Sequence, residues 1–209
     1  MEGMLYISGV EPQKRKKDRY NVFVDGEFAA ALGAETLVVY GIKAGSEIAE
    51  ETLAEAVLRD NTQYAFDSAL TLLSHKMRTR SELEKRLTDR GIDPGAVDAA
   101  MQKLISYGYV DDEAYARSFV ESAVLAAKDS PKAVRHKLKQ KGLDNRVIDT
   151  ALEAYDGDVE KQIAAIHLET LKKRYAGDDK QRQKTYAALS RRGFGYDVIS
   201  SLLSGEDEF

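Results

Sequence analysis

The stretch LTDRGI at residues 87–92 recurs as LKQKGL at 138–143 and as LSRRGF at 189–194, so the copies lie 51 residues apart. Each copy begins with a leucine. A basic residue follows three positions later, a glycine four positions later and an apolar residue five positions later. Self-similarity at a fixed period of about 20 to 50 residues is the signature of repeat proteins. The chain therefore reads as three copies of one unit.

The similarity continues beyond the glycines. A β-branched residue stands six positions after each glycine and a large apolar residue ten positions after it, which adds two columns: Val97, Ile148 and Ile199, then Met101, Leu152 and Leu203. Six columns match without a gap. Such a run without insertions indicates a real repeat rather than a chance match.

Each unit reads as three helices. In the first unit, an apolar stripe predicts a helix near Thr62–Met77. The middle helix begins with the capping box Thr79-x-x-Glu82 and ends at Gly91, which takes the left-handed conformation that halts a helix. The third helix opens with Asp93 as cap and Pro94 in the first helical position.

The second unit follows the pattern of the first unit closely, and the third unit departs from it at two places. In the second unit, Asp111 caps the first helix, Ser130-Pro131 opens the middle helix and Asp144 opens the third. In the third unit, Thr185 occupies an otherwise apolar column and Gly195-Tyr196 replaces the Asp-led start. The helices of the third unit are therefore expected to be less regular.

The first 60 residues have a different character. Tyr20–Val24 is β-prone and is followed by Asp25-Gly26, the pair favoured in a two-residue hairpin turn. Leu5–Ser8 offers a third strand. Helical patterns follow around Glu35–Tyr40 and, as an acidic helix, over Glu50–Arg59.

These patterns predict a mainly α fold: tandem three-helix repeats in an elongated array, preceded by a small N-terminal module with a β-hairpin. The expected boundaries are 1–60 for the module and 61–110, 111–156 and 157–209 for repeats 1, 2 and 3.

Composition excludes several classes of protein. The 209 residues are 43% hydrophobic and 32% charged, with 31 Lys and Arg against 35 Asp and Glu, which is typical of a soluble globular chain. The absence of cysteine excludes disulfide scaffolds, Cys-ligated metals and thiol catalysis. The N-terminus does not resemble a secretory signal, and no apolar run is long enough to span a membrane, so a cytoplasmic location is expected.

Charge is distributed unevenly along the chain. Local net charge is +3 over residues 76–90, +5 over 128–146 and +6 over 172–192, but −7 over 25–67. These basic segments coincide with the middle helices and their flanks. A cation in the last turn of a helix interacts favourably with the helix dipole, and this explains some of the basic residues in these segments. The clustering of the remaining basic residues favours an anionic partner, although a solvated charged face is an alternative.

The placement of charge separates two kinds of nucleic-acid binding. A helix–turn–helix protein reads DNA with the helix after the turn, which here is the third helix of a unit. In repeat 2 that helix carries Asp144, Asp149 and Glu153 against Arg146 alone. Phosphate or acidic-surface contact through the middle helices is therefore favoured over sequence-specific reading.

Three segments together resemble the RecX family of RecA regulators: RTRSEL at 78–83 with Gly91, GYVDDEAYA at 108–116, and the run from Val134 to Leu143. The resemblance covers about residues 61–209, and the N-terminal hairpin resembles the longer form of the family. It implies a non-enzymatic, monomeric protein that binds the RecA–DNA filament and inhibits RecA ATPase, strand exchange and coprotease activity in DNA repair and SOS regulation.

The candidate contact residues for the filament are 15 of the 21 cations in the three basic segments: Lys76, Arg78, Arg80, Lys85, Arg86, Arg90, Arg135, Lys137, Lys139, Lys141, Lys172, Lys173, Arg174, Arg191 and Arg192. Reversing the four between residues 135 and 141 is expected to weaken inhibition of the filament while leaving helical content and melting nearly unchanged.

The sequence contains none of the common catalytic or metal-binding motifs that would indicate an enzyme. His75, His136 and His167 form no HxxxH or HExxH pair, and there is no phosphate-binding loop or nucleophile elbow. Asp111 to Glu113 are adequately explained as a helix start. No catalytic residue, metal ligand or cofactor is predicted. Two other functions stay open: direct, largely sequence-independent DNA binding through the basic helices, with DNA otherwise an auxiliary contact, and a helical adaptor for another protein.

Overall fold

The computed structural model describes residues 3–14 and 18–204, which form four β-strands and ten α-helices. They divide into two compact units. The first unit contains the residues up to Met77 together with Leu83–Val110, and the second contains Arg78–Glu82 together with the residues from Asp111 onward. The predicted fold class, three-helix repeats in tandem behind a small module with a β-hairpin, is confirmed.

The N-terminal module is built on a four-stranded antiparallel sheet of order β3-β2-β1-β4. Its strands are β1 (Met4–Pro12), β2 (Arg19–Val24), β3 (Glu27–Gly33) and β4 (Glu47–Ala49). The predicted hairpin joins β2 to β3, and its turn residues Asp25 and Gly26 have φ angles of 49° and 89°, as a type I′ turn requires. Helix α1 (Ala34–Val39) follows the predicted helical pattern, whereas β4 was not predicted.

One long helix, α2 (Glu50–Leu73), serves two hydrophobic cores of the first unit. Near its start, Leu53 and Ala56 pack in the core of the sheet, and farther along, Ala65 and Ala69 pack in the core of repeat 1. The helix runs through position 60 without interruption, so the boundary drawn between residues 60 and 61 falls inside it. It ends at Leu73, four residues before the predicted end.

A buried ion pair explains why this helix looked interrupted in the sequence. Asp60 is only 6% exposed, and one of its carboxylate oxygens accepts hydrogen bonds from Gly33 N and Thr36 Oγ1, each at 2.7 Å. Its other oxygen lies 2.9 Å from Arg19 Nη2, and the Arg19 guanidinium stacks over Tyr64. The polar residues near position 60 therefore fasten the sheet to α2 rather than break the helix.

Repeat 1 is completed by α3 (Arg80–Thr88) and α4 (Pro94–Ser106). The predicted caps are present: Thr79 Oγ1 accepts a hydrogen bond from Glu82 N at 3.2 Å, and Asp93 accepts one from Ala96 N at 3.1 Å. Gly91 has a φ of +79°, so α3 ends at the predicted left-handed glycine.

The second unit contains repeats 2 and 3. Its helices are α5 (Asp112–Ala126), α6 (Pro131–Gln140), α7 (Asn145–Leu152), α8 (Gly157–Arg174), α9 (Gln181–Arg191) and α10 (Tyr196–Ser204). Asp111, Ser130 and Asp144 cap the helices that they were predicted to cap. Repeat 3 forms all three helices although Thr185 replaces an apolar residue in its core, where it is 1% exposed and its hydroxyl makes no hydrogen bond to another described residue.

Candidate partner-binding surface on the middle helices

The middle helices bury only a narrow stripe, of two residues in α3 and α6 and of three in α9, where Ala188 is the third. One pair in each helix occupies equivalent repeat positions and is at most 1% exposed: Leu83 and Leu87, Val134 and Leu138, Thr185 and Leu189. The rest of each short helix surface is mostly polar, and eleven of the fifteen predicted contact residues lie on these helices or within two residues of their ends. The exposed faces of the middle helices are therefore the candidate surface.

On α3, the cations Lys85, Arg86 and Arg90 are exposed. None of them forms an ion pair with a carboxylate in the described ranges. Before the helix, Lys76 is exposed and Arg78 is half-buried, while Arg80 stands exposed at the first helical position. Repeat 1 thus presents three solvent-facing cations between the second half of α3 and Gly91.

On α6, most of the predicted cations are already used within the protein. Lys137 Nζ lies 2.6 Å from an Asp129 carboxylate oxygen, and Arg135 pairs with Asp149. Lys141 Nζ lies 2.6 Å from a Glu82 carboxylate oxygen. Among the four cations of this segment, only Lys139 is exposed without a carboxylate partner in the described part of the chain. Internal pairing therefore occupies three of the four predicted contact cations of this segment.

The third basic segment is split between two helices. Lys172, Lys173 and Arg174 form the last turn of α8, the first helix of repeat 3, where Lys172 pairs with Glu169 at 3.2 Å. Arg191 and Arg192 lie at the end of α9 and are exposed. Because cations in a last turn stabilise the helix dipole, the α8 cluster has a structural role that does not require a partner.

A joint connects the start of α3 to the end of α6. Thr79 Oγ1 donates a hydrogen bond to the Lys141 carbonyl at 2.7 Å, although the two residues are 62 positions apart. Lys141 Nζ in turn donates to Glu82 at 2.6 Å, and Arg80 N donates to Asp112 at 2.9 Å. The capping box of α3 therefore holds the end of the next middle helix.

The same joint recurs one repeat later. Ser130 Oγ donates to the Arg192 carbonyl at 2.7 Å, again over 62 positions, and so connects the start of α6 to the end of α9. Thr79 and Ser130 are 0% and 1% exposed. We call these two contacts the hydroxyl joints. In each, the residue before one middle helix donates to a carbonyl at the end of the next middle helix.

Both joints also depend on a glycine for close approach. A Cβ atom on Gly142 would lie 2.3 Å from Ser81 Oγ and 2.4 Å from Ser81 Cβ, and one on Gly193 would lie 2.9 Å from Ser130 Oγ. A Cβ on Gly91 would meet nothing within 4 Å. The glycine therefore ends the middle helix in every copy, but only Gly142 and Gly193 also leave room for the start of the preceding middle helix.

The charged groups at the first joint influence one another. The hydrogen bond to Glu82 raises the pKa of Lys141 and keeps that ammonium group charged. Burial, and then the Glu82 carboxylate, raise the pKa of the neighbouring Tyr115. Lys141 is therefore a structural cation, which removes it from the set available to a partner.

Sequence reasoning identified these residues as helix caps and stops but missed the joints. One signal was present: the two caps that become joint donors, Thr79 and Ser130, are hydroxyl residues 51 positions apart, whereas the third copy has Gln181. The pairing of hydroxyl and carbonyl 62 positions apart has no counterpart in local sequence patterns.

Other features of the described residues do not form an alternative site. A cleft of about 950 Å³ in the first unit is lined by Arg19, Asp60 and Tyr64, the groups that fasten the sheet to α2. No group of three His, Cys, Asp or Glu residues is placed to hold a metal ion within 3–14 and 18–204. Among the helices described, none has the length and hydropathy that a membrane crossing requires.

Comparison with known proteins agrees with this architecture along most of the chain. Family models match residues 6–49 as the regulatory protein RecX N-terminal domain, and residues 65–104, 111–152 and 158–203 as the first, second and third three-helix domains of RecX. The chain is also 32% identical over 201 residues to regulatory protein RecX of Limosilactobacillus reuteri (strain DSM 20016), which covers 95% of this chain and 76% of that protein. The chain belongs to the RecX family.

Further RecX proteins support the assignment over nearly the full length. Regulatory protein RecX of Clostridium botulinum (strain Eklund 17B / Type B) is 31% identical over 204 residues, covering 96% of this chain and 95% of that one. A crystal structure of regulatory protein RecX superposes with a TM-score of 0.71 at 30% identity over 96% of this chain and 99% of that chain. The crystal structure of RecX from Lactobacillus salivarius superposes with a TM-score of 0.68 at 27% identity, and the match covers 72% of this chain and 99% of that chain. The names of these relatives describe regulation.

Proposed function

We propose that this RecX-family protein is a non-enzymatic regulator that binds the RecA–DNA filament and inhibits RecA ATPase, strand exchange and coprotease activity, in DNA repair and SOS regulation. The contact is made by the exposed cations of the middle helices. Membership in a family of regulatory proteins supports a protein partner. The identity of that partner as RecA is the part of the proposal that rests on the resemblance.

One observation carries the proposed contact. In a chain of net charge −4, the exposed cations Lys85, Arg86, Arg191 and Arg192 have no carboxylate partner within the described residues. Neighbouring like charges repel one another, and the protein has carboxylates that could have paired with them, as they do on α6. Unpaired cations on helices with little buried surface are suited to an anionic partner such as DNA phosphate or an acidic protein face.

The hydroxyl joints make several weak contacts act together. Within the second unit, the joint at Ser130 fixes the end of α9 against the start of α6. Once one contact to a polymer forms, a second contact from the same chain is effectively intramolecular and costs less entropy than the first. A partner that itself repeats, such as a filament, is therefore preferred over a single subunit.

The proposal is tested by charge reversal in a reconstituted RecA ATPase assay. The variant K85E/R86E/R191E/R192E should need about tenfold more protein for half-inhibition, because each lost contact to an anion is worth about 1 kcal/mol or less at an exposed site. A matched control, K14E/K43E/K103E/K161E, reverses four exposed lysines outside the middle helices and should inhibit like the unmodified protein. Equal inhibition by all three proteins would refute the proposed surface.

The partner is tested separately by co-sedimentation. The unmodified protein should bind assembled RecA–DNA filament more tightly than free RecA, because only the filament offers repeated sites. Equal affinity for both forms would exclude recognition of the polymer. If the protein leaves RecA ATPase unaffected even in excess, RecA is not the regulated partner.

Direct DNA binding is the second candidate, favoured by the local charge of +6 over residues 172–192. Binding that relies on phosphate contacts weakens steeply as salt rises, because neutralised phosphates release counterions. Titration of single- and double-stranded DNA at two salt concentrations separates the candidates. Tight binding at physiological salt without RecA would favour this function, whereas binding only at low salt would make DNA an auxiliary contact.

A further inference from the structure

The two hydroxyl joints define a donor end and an acceptor end for each middle helix. The donor end is the hydroxyl cap at the helix start, and the acceptor end is the last carbonyl with its left-handed glycine. The acceptor ends of α6 and α9 are filled by Thr79 and Ser130. The acceptor end of α3 consists of the Arg90 carbonyl and Gly91, and within residues 3–14 and 18–204 no hydrogen bond reaches that carbonyl.

The acceptor end of α3 has the same local conformation as the two filled ones. Gly91 has a φ of +79°, compared with +78° at Gly142 and +90° at Gly193. Arg90 occupies the column of Lys141, the residue whose side chain binds Glu82 of the incoming helix. Arg90 and Gly91 are both exposed, and nothing lies within 4 Å of a Cβ built on Gly91.

We propose that the acceptor end of α3 is a docking site for the first turn of a helix from a partner protein, formed as a hydroxyl joint in trans. The partner helix begins with Ser or Thr, whose hydroxyl donates to the Arg90 carbonyl. It carries a carboxylate three residues later that pairs with the Arg90 guanidinium, as Glu82 pairs with Lys141. The site goes beyond the cationic surface proposed above, since it recognises a helix end rather than an anionic surface.

A second copy of this chain does not match the site. The hydroxyl caps Thr79 and Ser130 are already engaged, and every other helix in the described ranges follows a residue without a hydroxyl. At the start of α9, Gln181 stands in the hydroxyl column and Lys184 in the column of Glu82, so Arg90 of another copy would meet a like charge. The occupant is therefore a different protein.

The probe for this site is a synthetic peptide with the sequence of residues 78–88, which contains Thr79 and Glu82. An alanine-rich extension at its C-terminus brings it above the about 15 residues that an isolated helix needs. Added to the intact 15N-labelled protein, it should shift the amide resonances of Arg90, Gly91 and Ile92, with a dissociation constant of about 1 mM. The peptide should not displace Thr79 or Ser130 from the two internal joints, because those residues belong to the same chain as the carbonyls that they contact and so bind at a high effective concentration.

Two controls identify the joint. A peptide with Thr79→Asp still caps its own helix, but a carboxylate cannot donate a hydrogen bond, so it should bind at least about fivefold more weakly. The protein variant Arg90→Glu should also weaken binding of the unmodified peptide, by about threefold or more.

The proposal would be overturned if the Gly91 resonance did not shift at peptide concentrations several times the expected dissociation constant, or if Gly142 or Gly193 shifted instead. Equal affinity of the two peptides would also overturn it. So would a Gly91 shift that depends on protein concentration without peptide, because that would indicate self-association.

Discussion

At the scale of single residues, the choice of helix cap follows what each cap must do. Asp93, Asp111, Asp144 and Asp156 cap helices by accepting a backbone hydrogen bond and have no second task. At the hydroxyl joints, Thr79 accepts from Glu82 N and also donates to the Lys141 carbonyl. Only a side chain with both a proton and a lone pair can do both, and a carboxylate has no proton to give.

This difference predicts the effect of exchanging the caps. Thr79→Asp keeps an acceptor for Glu82 N but loses the donated bond and sets a carboxylate against a carbonyl oxygen. The substitution should lower the free energy of unfolding by about 1 to 3 kcal/mol, the cost of an unsatisfied buried group. The opposite exchange, Asp93→Ser at a cap without a joint, should change it by about 0.5 kcal/mol or less. Urea denaturation measures both, and equal effects would argue against a structural role for the joint.

A second prediction concerns Tyr155, whose hydroxyl donates to the Asp129 carbonyl at 3.2 Å. Burial, followed by the nearby Asp129 carboxylate, raises the pKa of Tyr155 from 10.0 to about 12. Because the raised pKa favours the neutral phenol in the folded state, its contribution to stability is complete below about pH 10 and is lost as the pH rises towards 12.

Tyr155→Phe should therefore reduce the loss of unfolding free energy between these pH values, and it should remove the last tyrosine component from an ultraviolet titration of the folded protein. A variant with the unmodified protein's alkaline stability profile and titration curve would show that Tyr155 is not the group responsible.

At the scale of elements, equivalent glycines have different duties. Gly91 and Gly142 both have a left-handed backbone, so alanine at either position costs about 1 to 2 kcal/mol. Gly142→Ala also places a methyl group 2.3 Å from Ser81 Oγ, which forces the first joint apart, whereas Gly91→Ala meets open space. Thermal unfolding should show the larger loss for Gly142→Ala, and indistinguishable melting temperatures would contradict the joint.

The elements that were predictable are those whose signals are local. Hairpin turn, caps and helix stops depend on residues within four positions, and Asp25-Gly26, Asp93-Pro94 and Gly91 behave as predicted. The three-residue strand β4 is too short to show a periodicity, so it was missed. The continuity of α2 was missed because the sequence showed two separate helical patterns, Glu50–Arg59 and Thr62–Met77, and the partner that buries Asp60 between them, Arg19, comes from a distant strand.

At the scale of the whole molecule, the count of charges in a segment differs from the charge that the fold leaves available. The α6 segment looked strongly basic, but three of its cations, Lys137, Arg135 and Lys141, are paired with carboxylates 8, 14 and 59 positions away. Sequence reasoning located the cations and could not find these partners, because two of the three pairs join different helices. The candidate surface is therefore smaller than predicted and lies mainly on α3 and α9.

The test expected from the sequence changes accordingly. Reversal of Arg135, Lys137, Lys139 and Lys141 to glutamate turns three ion pairs into like-charge contacts, so it should lower the free energy of unfolding by about 1 to 3 kcal/mol rather than leave melting unchanged. K85E/R86E/R191E/R192E breaks no ion pair. It should lower the free energy of unfolding by about 1 kcal/mol or less, because it places negative charges near the negative ends of helix dipoles. Circular dichroism melts of the two variants compare these losses, and the same melting temperature for both would contradict the pairing on α6.

The continuity of α2 has a consequence for truncation experiments. A protein shortened to begin at residue 61 would lack the first three turns of α2, whose remaining part supplies Ala65 and Ala69 to the core of repeat 1. The stump would have to hold its helical form without the sheet that anchors it, and short isolated helices are marginal in water. Loss of activity after such a deletion would therefore report on damage to repeat 1 as well, so point substitutions on the strands are the cleaner way to find what the N-terminal module does.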